Sequence, residues 1–121
     1  IAPGMIRQGD WEYESARQAA RELLKSPGRP TAVFAMNDLM ALGVLDAARE
    51  AGLEVPGDLS VIGFDNREIS RYCRPQLTTI EPPYHAMGSM AAEVLLKLLN
   101  DQHPQQRSYT LECTFIPRSS T

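Results

Sequence analysis

Apolar residues fall along this chain in two alternating rhythms. From residue 12 to 26 they recur at helical spacing. Ala16, Ala19, Ala20, Leu23 and Leu24 share one face, and charged residues fill the other. Asp10 stands where an N-cap belongs, and Pro27, Gly28 and Pro30 end the helix. Residues 31–36 (Thr-Ala-Val-Phe-Ala-Met) are a short apolar run without alternation, the pattern of a strand covered on both faces. Asn37 and Asp38 then open a second helix to about Ala51, with Gly52 in the place of a C-terminal cap glycine. A second unbroken apolar strand spans 59–64 and stops at Asp65 and Asn66. A short helical stretch is predicted around 67–72 and a third strand over 77–80. Pro82 and Pro83 break the chain, with Pro83 suited to the first position of the next helix. That helix runs to about Asn100. It carries a stripe of Met87, Met90, Ala91, Val94, Leu95, Leu98 and Leu99, with Glu93 and Lys97 paired on its wet side. Residues 108–116 alternate Thr110, Glu112 and Thr114 with Leu111, Cys113 and Phe115, a final strand.

Strands alternating with helices make βαβ units and an α/β fold with a mainly parallel sheet. Right-handed crossovers place the strand ends that precede the helices on one edge, and ligands bind outside those carboxyl ends. The rule points to Asn37, Asp65 and the residues after Ile80. The second helix is apolar nearly all round in its first two turns, from Leu39 through Leu42 and Val44 to Leu45. A helix covering one sheet face needs an apolar arc of only a little over 100°, so this one buries a second face. The cover is either another helix of the same chain or a second subunit, and a dimer interface including Leu42 and Leu45 is the favoured expectation.

Composition narrows the functional classes. The net charge is −3 and 43% of residues are hydrophobic, which excludes disorder and argues against this segment gripping nucleic acid, a task that needs a basic patch. No apolar run has the length of a membrane span, and no secretory leader pattern stands at the N-terminus. Cys73 and Cys113 are far apart, and are expected to be reduced, mostly buried thiols of a cytoplasmic protein. His85 and His103 lack ligand spacing, so neither a metal nor a cofactor is expected. No nucleophile elbow, phosphate loop or dinucleotide fingerprint is present.

Three residues suit ligand binding. Trp11, the sole tryptophan, sits in a polar setting just before a helix. It either packs on the helix start or offers a flat face to a ring. Asn37 is positioned as an N-cap, and its amide also offers a donor and an acceptor to hydroxyls. Asp65 either caps the following turn or accepts two hydrogen bonds from vicinal hydroxyls. Glu81 stands at the hinge-like end of the third strand. The set lacks an activated nucleophile with its base, so no enzyme is expected.

Four stretches in order resemble the lactose/galactose repressor family of bacterial transcription regulators. They are Pro-Thr-Ala-Val-Phe-Ala-Met-Asn-Asp-Leu-Met-Ala-Leu-Gly (30–43), Gly-Leu-Glu-Val-Pro-Gly-Asp-Leu-Ser-Val-Ile-Gly-Phe-Asp-Asn (52–66), Pro-Gln-Leu-Thr-Thr-Ile (75–80) and Met-Gly-Ser-Met-Ala-Ala (87–92). Periplasmic sugar-binding proteins echo the same blocks more faintly. The resemblance runs from about Gly9 to the C-terminus. It implies a Rossmann-like, periplasmic-binding-protein-like parallel sheet flanked by helices, one of two subdomains enclosing an effector. It also implies that residues 1–121 are the C-terminal portion of that effector domain, with about 83–116 packing partly on a first subdomain absent from this chain. By position, Trp11 resembles the family's stacking aromatic, and Asn37 and Asp65 its effector-contacting amide and carboxylate. Many members place a glutamine where this chain has Glu81, so that role is not carried over. The helix from Leu39 matches the family's dimer-interface element, which assigns Leu39, Leu42 and Leu45 to a homodimer contact. The implied function is effector binding and dimerisation in a sugar-responsive repressor that meets operator DNA through an N-terminal head outside this chain. The alternative is a periplasmic solute-binding protein for sugar uptake. In isolation, the Met87–Leu99 stripe is expected to repack or to pair with a neighbouring chain.

Overall fold

The computed structural model describes residues 2–102, 106 and 108–121. After a 3-10 turn at Pro3–Met5 come α1 (Tyr13–Leu24), β1 (Ala32–Phe34), α2 (Asp38–Glu50), β2 (Ser60–Phe64), α3 (Ile69–Tyr72), β3 (Thr78–Glu81), α4 (Tyr84–Leu99) and β4 (Thr114–Ile116). The strands form one sheet in the order β1-β2-β3-β4, and β1, β2 and β3 are parallel. The chain divides into two compact units. One holds residues 1–81 and 115–121, the other Pro82–Thr114.

The predicted elements are present, most with shorter ends, while β3 is shifted by one residue to Thr78–Glu81. Asn37 caps α2, its side chain accepting from the Met40 amide. The helix closes on a Schellman motif: the Gly52 amide donates to the Arg49 carbonyl and the Leu53 amide to that of Ala48, with Gly52 at φ +71°. Asp10 is not the cap of α1. Glu12 holds that position without a side-chain bond, while the Asp10 carboxylate takes the Glu12 amide and the Ser15 hydroxyl in a turn of its own. The last strand is three residues long rather than nine. Pro83 is the N-cap of α4 rather than its first helical residue.

The core lies between the sheet and two stacked helices. Leu59, Val61, Leu77, Ala41 and Ala48 are buried to 0% exposure, and α2 packs both on β2 and on α1. The second apolar face of α2 is therefore covered by α1 of the same chain. Leu45 is 7% exposed within this core, which corrects its expected place in a subunit interface, because it retains almost no surface for a partner. Leu39 and Leu42 remain half-buried.

Close helix approach requires Gly43. A β-carbon there would collide with the Tyr13 carbonyl oxygen and lie 2.9 Å from the Arg17 amide nitrogen. Around that contact the Tyr13 hydroxyl bonds Asp46, and Glu50 takes Arg17 at 2.5 Å and Arg21 at 2.6 Å. Arg21, and then Arg17, hold the Glu50 carboxyl down at about 2.

Cover on the sheet is one-sided. Val61 and Gly63 are buried toward α2, while Ser60, Ile62 and Phe64 are only half-buried and Phe34 is 51% exposed. The unbroken apolar pattern of a twice-covered strand is thus met on one face. Beside β1 runs an apolar groove of about 680 Å³, bounded by Met5 and Ile6, by Ala20 and Leu23 of α1, and by Val33 and Phe34. In the second unit, α4 has no buried residue, and Met87, Leu95, Leu98 and Leu99 of its stripe are exposed.

Gly43→Ala is expected to lower stability by about 1–3 kcal/mol in urea denaturation, because α1 must move away, even though alanine favours a helix by about 1 kcal/mol. Gly88→Ala in α4, with open space around it, should be neutral or stabilising. Equal effects at both positions would contradict the close approach. The depressed Glu50 carboxyl favours its charged form in the fold, so its contribution is complete above the ordinary carboxylate value and is lost as pH falls toward about 2. Glu50→Gln should make stability fall less steeply with acid over that window, and the difference should shrink in high salt.

Candidate functional site

The sheet register brings the candidate residues to one edge. Phe34 pairs with Ile62, and Phe64 with Ile80. Asn37 and Asp65 each lie three residues past the first pair, and Asp65 and Glu81 each lie one past the second. The three therefore stand side by side across the carboxyl ends of β1, β2 and β3, where neighbouring strands are about 4.8 Å apart.

Trp11 joins this edge through its backbone. Asn37 Nδ2 donates to the Trp11 carbonyl at 3.0 Å while Asn37 Oδ1 accepts from the Met40 amide at 2.7 Å. Those two bonds fix the amide's orientation and leave one N–H and one acceptor site on it. Trp11 is 61% exposed and has φ +73°. Its left-handed backbone, unfavourable for a bulky residue, presents the ring at the surface.

Asp65 follows β2 at φ +106°, and Asn66 follows at φ +48°. Among the described residues, three of the four non-glycine positions with positive φ are thus at this edge. Strained backbone persists only where surrounding contacts over-determine it, and here they do. The Asp65 amide donates to the Ile80 carbonyl at 2.8 Å, and the Asn66 amide to Thr79 Oγ1 at 3.3 Å. The Arg67 amide donates to Asp38 Oδ2 at 2.7 Å. Asp38 has no exposed surface, and its other oxygen accepts from Thr79 at 2.5 Å. Burial pushes the Asp38 carboxyl up. The Thr79 and Arg67 bonds pull it back, the Asp65 charge raises it and Arg118 lowers it.

Arg118 reaches the same turn from the C-terminal segment. It donates to Asn66 Oδ1 at 2.6 Å, to Ser70 Oγ at 2.8 Å and to the Leu77 carbonyl at 2.6 Å. Asn66 Nδ2 in turn donates to Glu81 at 3.0 Å. Glu81 thus holds the turn. No buried polar side-chain atom among the described residues lacks a partner.

Sequence reasoning missed Asp38, Asn66, Thr79 and Arg118 as parts of this edge. Asp38 had one available signal: a carboxylate on a helix otherwise apolar all round has to be satisfied by something specific. Arg118, from a distant tail, had none. The groove beside β1 is lined by neither Trp11, Asn37 nor Asp65, although Met36 and Met40 next to Asn37 line its end. Cys73 is half-buried, and burial raises its thiol, whereas Cys113 is exposed, contrary to expectation. Among the described residues no cluster of three metal-ligating side chains occurs, and none of their helices is long and apolar enough to cross a membrane. His103 lies outside the described residues.

Comparison with known proteins follows the same lines. The model of the periplasmic binding protein-like domain family matches residues 3–121. The HTH-type transcriptional repressor CytR of Escherichia coli K12 is 43% identical over all 121 residues, which cover 36% of its length. A regulatory protein of the LacI family from Chloroflexus aggregans superposes with a TM-score of 0.88 at 36% identity, over 99% of this chain and 43% of that one. A LacI family transcriptional regulator from Arthrobacter sp. FB24, in complex with lactose, gives 0.79 at 36% identity over 92% of this chain and 42% of that one. The chain spans about a third of the length of the curated relatives it matches. On motif order, sheet topology and these matches, the chain belongs to the lactose/galactose repressor (LacI) family, within its periplasmic binding protein-like domain.

Proposed function

We propose that this chain is the effector-binding and dimerising portion of a sugar-responsive transcription repressor, which performs no chemistry of its own. The observation that carries the reading is the strand-end edge, where Asn37 and Asp65 stand level and Asn37 is bonded to the backbone of an exposed Trp11. Such an edge recognises a sugar by its two kinds of surface. The indole covers the ring's C–H face, and the carboxylate and amide accept from and donate to its hydroxyls. The lactose complex of the Arthrobacter regulator supports a sugar as the effector class. Effector binding favours one of two arrangements of the whole protein only by the difference in its affinity for them, and a DNA-binding head outside these residues reads that difference at the operator in the cytoplasm.

The same reading gives the uncovered surfaces an occupant. The half-buried sheet face at Ile62 and Phe64 and the α4 stripe at Met87, Leu95, Leu98 and Leu99 belong against the rest of an effector domain. Residues 1–121 are then its C-terminal portion, with about 83–116 packing partly on the first subdomain. Leu39 and Leu42 supply the homodimer contact.

In the full-length protein, Asp65→Ala should weaken binding of the best ligand from a panel of sugars, lactose included, by about tenfold or more in calorimetry, the scale of a lost charged hydrogen bond. Operator binding without effector should be unchanged. Unaltered effector affinity would overturn the assigned role, and a panel in which only purine bases or nucleosides bind would overturn the sugar. Light scattering of the full-length protein at micromolar concentration should give a dimer, and Leu42→Glu should dissociate it. A monodisperse monomer before mutation would refute the dimer contact.

A further inference from the structure

Resting on the ligand-binding role of Asp65, we propose that Asp38 and Arg118 are positioning residues that hold the Asp65–Asn66–Arg67 turn in its strained form before any ligand arrives. Asp38 is not offered to the effector. Asp38 lies beneath the turn with no exposed surface, and both its carboxylate oxygens are engaged, one by the Arg67 amide and one by Thr79. Thr79 uses its hydroxyl twice, donating to Asp38 and accepting the Asn66 amide. Two consecutive backbone amides of the turn therefore depend on a single buried carboxylate.

Arg118 closes the turn from the far side. Its guanidinium spans the Asn66 amide oxygen, the Ser70 hydroxyl and the Leu77 carbonyl, and Ser70 itself donates to the Arg67 carbonyl at 2.6 Å. A planar fork with donors in fixed directions suits three separate acceptors. The segment carrying Arg118 is anchored in turn. The Arg118 amide donates to Thr78 Oγ1 at 2.9 Å, the buried Ser120 hydroxyl donates to the Val61 carbonyl at 2.6 Å, and the Val61 amide donates to the Ser120 carbonyl at 2.8 Å. Strands β2 and β3 thus fix the tail, the tail fixes Arg118, and Arg118 fixes Asn66.

Local sequence explains why the arrangement needs this support. Asp65 and Asn66 tolerate positive φ better than most residues, but still pay for it relative to glycine. Without external bonds, the turn relaxes and the Asp65 carboxylate loses its fixed direction. Gly63 makes room for the device, since a β-carbon there would strike Asp38 Oδ1 and approach Leu77 Cδ2 at 2.9 Å. Asn66 also bonds Glu81, so the same turn fastens the last residue of β3.

Hydrogen exchange of the full-length protein, followed by mass spectrometry without ligand, reads this positioning directly. In Arg118→Met and in Asp38→Ala, the peptide covering residues 64–70 should exchange about tenfold faster, the scale of one lost hydrogen bond, while the peptide covering 41–48 of α2 keeps its rate. Asp38→Asn, whose amide keeps an oxygen for Arg67 and can donate to a reoriented Thr79 hydroxyl, should restore most of the protection. An unchanged rate over 64–70 in Arg118→Met, or equal acceleration of both peptides, overturns the proposal. If Asp38→Ala does not fold, Arg118→Met and Asp38→Asn still decide it. Lactose affinity should fall about tenfold in Arg118→Met and in Asp38→Ala, and stay close to that of the unmutated protein in Asp38→Asn. Selective loosening of 64–70 with lactose affinity unchanged in both Arg118→Met and Asp65→Ala would contradict the binding role of Asp65 and leave the positioning intact.

Discussion

The Asp38 carboxylate is buried where α2, β2 and β3 meet, and the form of the strand-end edge depends on how it is satisfied. Stripping water from a carboxylate is costly unless strong donors replace it. Here the donors are the Arg67 amide and the Thr79 hydroxyl, so one constraint sets the start of α2, the course of the chain after β2 and the level of β3. Gly63 follows from it, because any side chain at that position would fill the carboxylate's place. The left-handed backbone at Asp65 and Asn66 follows too, as the route that delivers the Arg67 amide to Asp38.

Much of the fold was legible in the sequence because its signals are local. Asn37, Gly52 and the proline pairs punctuate helices through backbone chemistry that does not depend on distant residues. The parallel sheet was legible from the alternation of 31–36, 59–64 and 77–80 with helical stretches. The ends of elements were less so. Asp10 has the chemistry of a cap, but Ser15 lies within reach of its carboxylate and draws it into a different turn. The excess apolar surface of α2 correctly announced a second buried face, yet sequence alone does not say whose surface covers it. Gly43, which admits α1 to close contact, was the clue favouring an internal partner over Leu45 in a dimer.

The edge itself was half legible. Topology places Asn37 and Asp65 at adjacent strand ends without knowledge of any relative, and the register bears that out. Trp11 stands exposed beside them. Support from Thr79 and Arg118 was invisible, since it joins residues some forty to fifty positions apart through side chains whose types are common in solvent. Only the folded chain brings them under one turn.

The proposed function describes a binding module whose selectivity rests on a flat indole beside a fixed carboxylate and amide. The most direct measurement of that account is a crystal structure of the full-length protein with its effector bound. The account predicts a sugar ring lying against the Trp11 indole, with hydroxyls bonded to Asp65 and Asn37 and the 65–67 turn unchanged on Asp38. An effector seated elsewhere, with Trp11 and Asp65 both facing solvent, would contradict it.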